Sequence, residues 1–125
     1  MIPNTKISHT ILEFGKELIL ALPDNCSKRE MEATMRVIIT VWNAVVLDSW
    51  NKSNHFETEL MNTMKNEPRE MYIIVKRLIK RKKKKFFNDP RAVGEHWLKE
   101  KNGELVFGCE ARLDIEKVSI KSGLH

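Results

Sequence analysis

Acidic residues are missing from Met71 to Asn88, although the chain of 125 residues carries 17 of them against 22 lysines and arginines. Other absences narrow the field before any motif is read. Cysteine is scarce, and Cys26 and Cys109 form no C-x-x-C pair, so they read as two small, partly buried apolar residues rather than a disulfide or a metal site. Of the four histidines, His9, His55, His96 and His125, no two have H-x-x-x-H spacing, and neither a metal nor a cofactor is expected. The phosphate-cradling loops G-x-x-x-x-G-K-[ST] and G-x-G-x-x-G are absent, as is the G-x-S-x-G nucleophile elbow. Long hydrophobic runs are missing too. The most apolar stretch, Val37 to Leu47, has eleven residues including Asn43, where a membrane-spanning helix needs about 20. The opening "MIPNTKISHT" lacks a charged start, an apolar stretch and a small-residue cleavage site, and a cytoplasmic location is the resulting expectation.

What remains is a chain that is 42% hydrophobic, large enough for one core and too small for two, so residues 1–125 are expected to form a single helix-rich domain. The predicted fold class is α+β and predominantly α, with a four-helix core over 5–22, 27–50, 54–65 and 68–87 and a C-terminal β-hairpin over 95–113. In the first segment Ile7, Ile11, Leu12, Leu18, Ile19 and Leu22 recur at spacings of three and four, and Pro23 stops the pattern. Gly15 falls on the same face; either it lets a neighbouring helix come close, or the helix merely tolerates it at about 1 kcal/mol. The second segment opens with "SKRE", in which Ser27 and Glu30 can form a capping box. Its apolar residues then cover every face from Val37 to Leu47, which places it at the centre of a bundle or in a dimer interface. Asn43 and Asp48, in or beside this helix, read as hydrogen-bonded or helix-end residues.

The third helix is predicted to take Asn54 as its cap, with Phe56, Leu60, Met61 and Met64 as its stripe. The fourth starts near Pro68 and buries Met71, Ile74, Val75, Leu78 and Ile79; continuing that face lands on Lys82 and then Phe86. After Asn88 the period changes. Leu105, Phe107, Cys109, Ala111 and Leu113 alternate with polar or small neighbours, and Asn102-Gly103 suits a tight turn, which favours a hairpin with Trp97 to Lys101 as partner strand. The rival reading makes residues 90–101 a helix stopped at Gly103. The tail "DIEKVSIKSGLH" reads as a third short strand or a loose end.

Cutting the chain at residue 70 separates a first part of charge −2 from a second of charge +7. Nearly all of the difference arises in "KRLIKRKKKKFF", where eight of twelve residues are cationic. On a helix, Lys76, Lys80 and Lys84 stack at i, i+4 spacing, as do Arg77, Arg81 and Lys85, and each like-charge pair costs roughly 0.2 to 0.5 kcal/mol. One explanation is a solvated helix end that keeps the protein soluble. The functional explanation is that Lys76, Arg77, Lys80, Arg81, Lys82, Lys83, Lys84 and Lys85 bind the phosphate backbone of DNA or RNA without reading its sequence. Six phosphates engaged would give a log K against log salt slope near −5 on duplex DNA. An anionic membrane surface or an acidic protein segment fits the same charge, and the apolar second helix supports a structural or protein-interaction subunit that forms a homo-oligomer.

Two weaker constellations complete the reading. "RAVGEH" sets Arg91 and His96 with four residues between them, which resembles the short Arg/His motif of HEPN-type ribonucleases. That resemblance covers six residues, departs from the family's pattern at Ala92, and implies a ribonuclease in which His96 assists transfer within RNA and Arg91 handles phosphate. Asp89 with Glu110 and Arg112 loosely follows the D…E-x-K pattern of metal-dependent nucleases, with Arg in place of Lys.

Overall fold

Ser27 starts the longest element of the fold as a capping box predicts. Its hydroxyl accepts from the Glu30 amide at 3.1 Å while the Glu30 carboxylate accepts from the Ser27 amide at 3.1 Å. The computed structural model describes residues 5–113. These fold as five helices, α1 (Ile7–Phe14), α2 (Lys16–Leu20), α3 (Lys28–Asn51), α4 (His55–Met64) and α5 (Arg69–Lys85), followed by an antiparallel hairpin of β1 (Ala92–Lys101) and β2 (Glu104–Arg112). The third short strand considered for 114–125 lies outside the described residues. Among the described residues, no helix is long and apolar enough to cross a membrane.

Helix α3 is the axis of the molecule. It packs against α1, α2, α4, α5 and β1, and every residue from Val41 to Asp48 is buried. The all-round apolar stretch therefore finds its cover within its own chain, which is the bundle-centre alternative. Phe14 of α1, Trp42 of α3 and Phe86 at the end of α5 meet edge to face, with ring centres 5.1 to 5.7 Å apart.

The first segment is not one helix. It breaks at Gly15 into α1 and the five-residue α2. A Cβ at Gly15 would stand 2.3 Å from Cδ1 of the fully buried Ile38, so the close-approach reading of this glycine holds.

The helix α4 corrects a second expectation. Asn54 makes no capping bond; the carboxylate of Asp48, at the end of α3, accepts from the amides of Phe56 and Glu57 at 2.9 Å each and from the Ser53 hydroxyl at 3.3 Å. One buried acid in the last turn of α3 thus caps α4.

The hairpin is present and the helical alternative for 90–101 is overturned. Its turn is Asn102-Gly103, with φ of +54° and +80°, the pair of positive values a type I′ turn requires. Pairing begins at Ala92, three residues earlier than expected, because α3 draws this strand in by its backbone. Asn43 donates to the Val93 carbonyl at 2.9 Å and accepts from the Val93 amide at 2.7 Å, Trp42 donates to the Arg91 carbonyl at 2.7 Å, and Trp50 donates to the Pro90 carbonyl at 2.9 Å. Between Val93 and His96 the register slips by one residue, a bulge on β1. Opposite it the alternation of β2 inverts: Ala111 and Leu113 are exposed, while Arg112 lies against Gly94.

Candidate nucleic-acid interface

Helix α5 carries the whole basic run, and its amphipathic pattern sorts the eight cations. Val75, Leu78 and Ile79 face the core, and the same face continues to Lys82, which is only 3% exposed. The Lys82 ammonium donates to the carbonyls of Phe86 at 2.6 Å and Asp89 at 3.0 Å and stands 4.3 Å from the centre of the Trp42 ring. It closes the C-terminal end of α5, where free carbonyls and the negative end of the helix dipole favour a cation. Burial lowers its pKa to about 8, and the nearby Asp89 charge only partly offsets that shift. Lys82 is a structural residue, and the reading that placed it among the phosphate-binding cations is corrected.

Three further cations meet acids from earlier helices. Arg81 is half-buried, donates to the carbonyls of Phe14 at 3.1 Å and Glu13 at 3.0 Å, and has the Glu13 carboxylate 3.8 Å away. Arg77 pairs with Glu17, both exposed. Lys83 pairs with the half-buried Glu57 at 2.7 Å. Lys76, Lys80, Lys84 and Lys85 are exposed and have no carboxylate partner among the described residues. The first three lie on one line of the helix, rising about 6 Å per step. Of the sequence-predicted site, this line and Lys85 remain as unpaired positive charge, with Arg77 and Lys83 at its margins in solvent-exposed pairs of small stabilising value.

A pocket of about 600 Å³ opens where the run ends. Phe87, Asn88 and Pro90 form one wall, Lys83 belongs to another, and Lys52 to Asn54 complete it from the α3–α4 turn. Phe87 is 74% exposed, although its neighbour Phe86 is packed into the aromatic cluster. The pocket was not legible in the sequence, because its two sides lie some thirty residues apart in the chain.

The remaining candidates are distributed differently. Arg91 is buried and holds Asp89 in a two-point fork, Nε to Oδ1 at 2.9 Å and Nη2 to Oδ2 at 2.8 Å, while Nη1 donates to the Thr5 carbonyl at 2.7 Å and Nη2 approaches the Thr10 hydroxyl at 3.4 Å. The Asp89 hydrogen bonds raise its pKa against the opposing effect of burial. With its donors turned inward, Arg91 has no face to offer a phosphate. His96 lies on the exposed part of β1, beyond the bulge, with its pKa lowered by partial burial and then by the charge of Arg36. The Arg/His pair that resembled a ribonuclease motif is therefore a core ion pair and a strand histidine. Asp89 is engaged by Arg91, and Arg112 pairs with Glu110 at 3.1 Å, so the nuclease-like triplet is divided between two separate pairs. Cys26 and Cys109 are free and half-buried, and burial pushes the Cys109 thiol up to about 11.

Comparison with known protein families, with curated proteins and with solved structures finds no match to this chain.

Proposed function

We propose that this protein binds nucleic acid through the phosphate backbone, without sequence readout, at the C-terminal half of α5. The observation that carries the reading is the line Lys76, Lys80 and Lys84 with Lys85 beside it, exposed and unpaired among the described residues. Intramolecular acids relieve the repulsion on Arg77, Arg81 and Lys83 and leave these four lysines facing one another. Like charges at i, i+4 oppose helix formation by a few tenths of a kcal/mol per pair, a penalty a polyanion removes on binding. Lysine heads are point charges on flexible stems, suited to phosphate contact rather than to two-point reading of base edges.

Four contacts instead of six reduce the expected salt dependence. The log K against log salt slope should be about −3.6 on duplex DNA and about −2.8 on a single strand. The test is fluorescence anisotropy with labelled random-sequence DNA and RNA from 20 to 200 mM salt, on the wild type and on a variant with Lys76, Lys80, Lys84 and Lys85 changed to Gln. These side chains are exposed and the fold is expected to survive. Loss of binding and of the salt slope in the variant supports the reading; equal binding by both proteins, or no binding by the wild type at low salt, overturns it.

A further inference from the structure

We infer that the pocket at the end of the basic run receives one unpaired nucleobase against Phe87, so that the preferred ligand is single-stranded nucleic acid. This rests on the phosphate-binding reading above and specifies its ligand.

Charge within the pocket argues for a neutral occupant. Its wall holds three carboxylates and three ammonium groups, and nearly all are matched inside the protein. Asp48 caps α4, Asp89 is forked by Arg91, Glu57 pairs with Lys83, and Lys82 is held by two carbonyls. Neither a free phosphate nor a divalent cation would find a strong uncompensated field there. A planar heterocycle would find different partners. Phe87 presents an exposed ring, and the side chains of Asn54 and Asn88 make no hydrogen bond among the described residues. Each carboxamide offers a donor and an acceptor, the combination displayed by the edges of unpaired bases.

The phosphates on either side of such a base would meet the cations next to the pocket. Lys84 and Lys85 follow the pocket residue Lys83 directly in α5 and precede Phe87 by three and two residues. An aromatic platform beside a basic track is the arrangement that binds single strands without a sequence code. A duplex keeps its bases stacked and paired and could reach the ring only by extruding one.

The experiment compares four labelled probes of equal length at one low salt concentration: oligo-dT, oligo-U, a random duplex, and a deoxyribose-phosphate strand carrying abasic sites. The wild type should bind either single strand at least 10-fold more tightly than the duplex or the abasic strand. Phe87→Ala should weaken single-strand binding by roughly 5- to 150-fold and leave the duplex and abasic affinities unchanged. Phe87→Tyr, which keeps a stacking face, should restore single-strand binding. Equal affinity for all four probes with a neutral Phe87→Ala overturns the base pocket and leaves phosphate binding standing. Binding to none of the probes overturns both.

Discussion

The ammonium of Lys82 lies 4.3 Å from the centre of the Trp42 ring and is turned away from the basic surface of which its sequence neighbours form part. Burial lowers its pKa to about 8 against the ordinary lysine value. Between about pH 8 and pH 10.5 the unfolded chain holds a proton at this position that the folded protein has released. Stability contributed by this site must therefore rise with pH across that window, by roughly 3 kcal/mol in total. Urea melts of the wild type and Lys82→Met at steps from pH 7 to 10.5 measure it. The wild type should gain on the variant as pH increases, and parallel curves would show that the buried amine carries no such shift.

Asn43 is predicted to be the most sensitive polar residue of the core. Its amide holds both the N–H and the C=O of Val93, and both backbone groups are buried. Asn43→Leu would leave them without partners, at a cost of about 2 to 4 kcal/mol. Trp50→Phe removes only the half-buried bond to the Pro90 carbonyl and should cost less, on the order of 1 kcal/mol. Chemical denaturation of the two variants tests the ranking, and comparable losses would mean that the hairpin is not anchored through Asn43.

The start of α4 offers a direct comparison between a local rule and a tertiary contact. Asp48→Ala should cost about 1 to 2 kcal/mol because the amides of Phe56 and Glu57 lose their acceptor. Asn54→Ala, at the position a sequence rule selects, should stay within about 0.5 kcal/mol. Amide exchange at residues 56–58 should accelerate in the first variant alone.

These examples separate what could be read from the chain from what could not. The Ser27 capping box, the type I′ turn at Asn102-Gly103 and the buried α3 are local or periodic features, and the sequence carries them in adjacent residues. The inward position of Lys82 was also implied, since it continues the stripe of Val75, Leu78 and Ile79, yet counting charge treated it as exposed. The missed features join distant segments. Glu13 and Glu17 reach Arg81 and Arg77 across 68 and 60 residues, Asn43 reaches Val93 across 50, and the pocket under Phe87 is assembled from two turns. Net charge over a window says nothing about acids that fold back onto it, and for that reason three of the eight predicted cations, Arg77, Arg81 and Lys83, could not be recognised as paired.

Cys109 should be a slow nucleophile. With its thiol pushed up to about 11 by burial, its thiolate fraction at pH 8 falls roughly a hundredfold below that of an ordinary cysteine. In a Cys26→Ser background, alkylation by iodoacetamide at pH 8 should be correspondingly slow and should recover to the rate of a free thiol in guanidinium. Equal rates in the folded and unfolded protein would place the thiol in water.

Gly15 and Ile38 make the sharpest test of the packing. By helix propensity alone, Gly15→Ala should stabilise the chain by up to about 1 kcal/mol. The geometry demands the opposite, since the added methyl would meet Ile38 Cδ1 at 2.3 Å and both of its Cγ atoms at 2.7 Å. Ile38 is fully buried and interiors are close-packed, so the substitution is expected to cost about 1 to 3 kcal/mol. Ile38→Ala removes all three clashing atoms and is itself destabilising by about 2 to 5 kcal/mol. In that background Gly15→Ala should turn neutral or stabilising, because the new methyl fills part of the space that Ile38 vacated. A double-mutant cycle from urea denaturation should therefore return a favourable coupling of more than about 1 kcal/mol. Simple additivity of the two changes would mean that Gly15 and Ile38 are not in close contact.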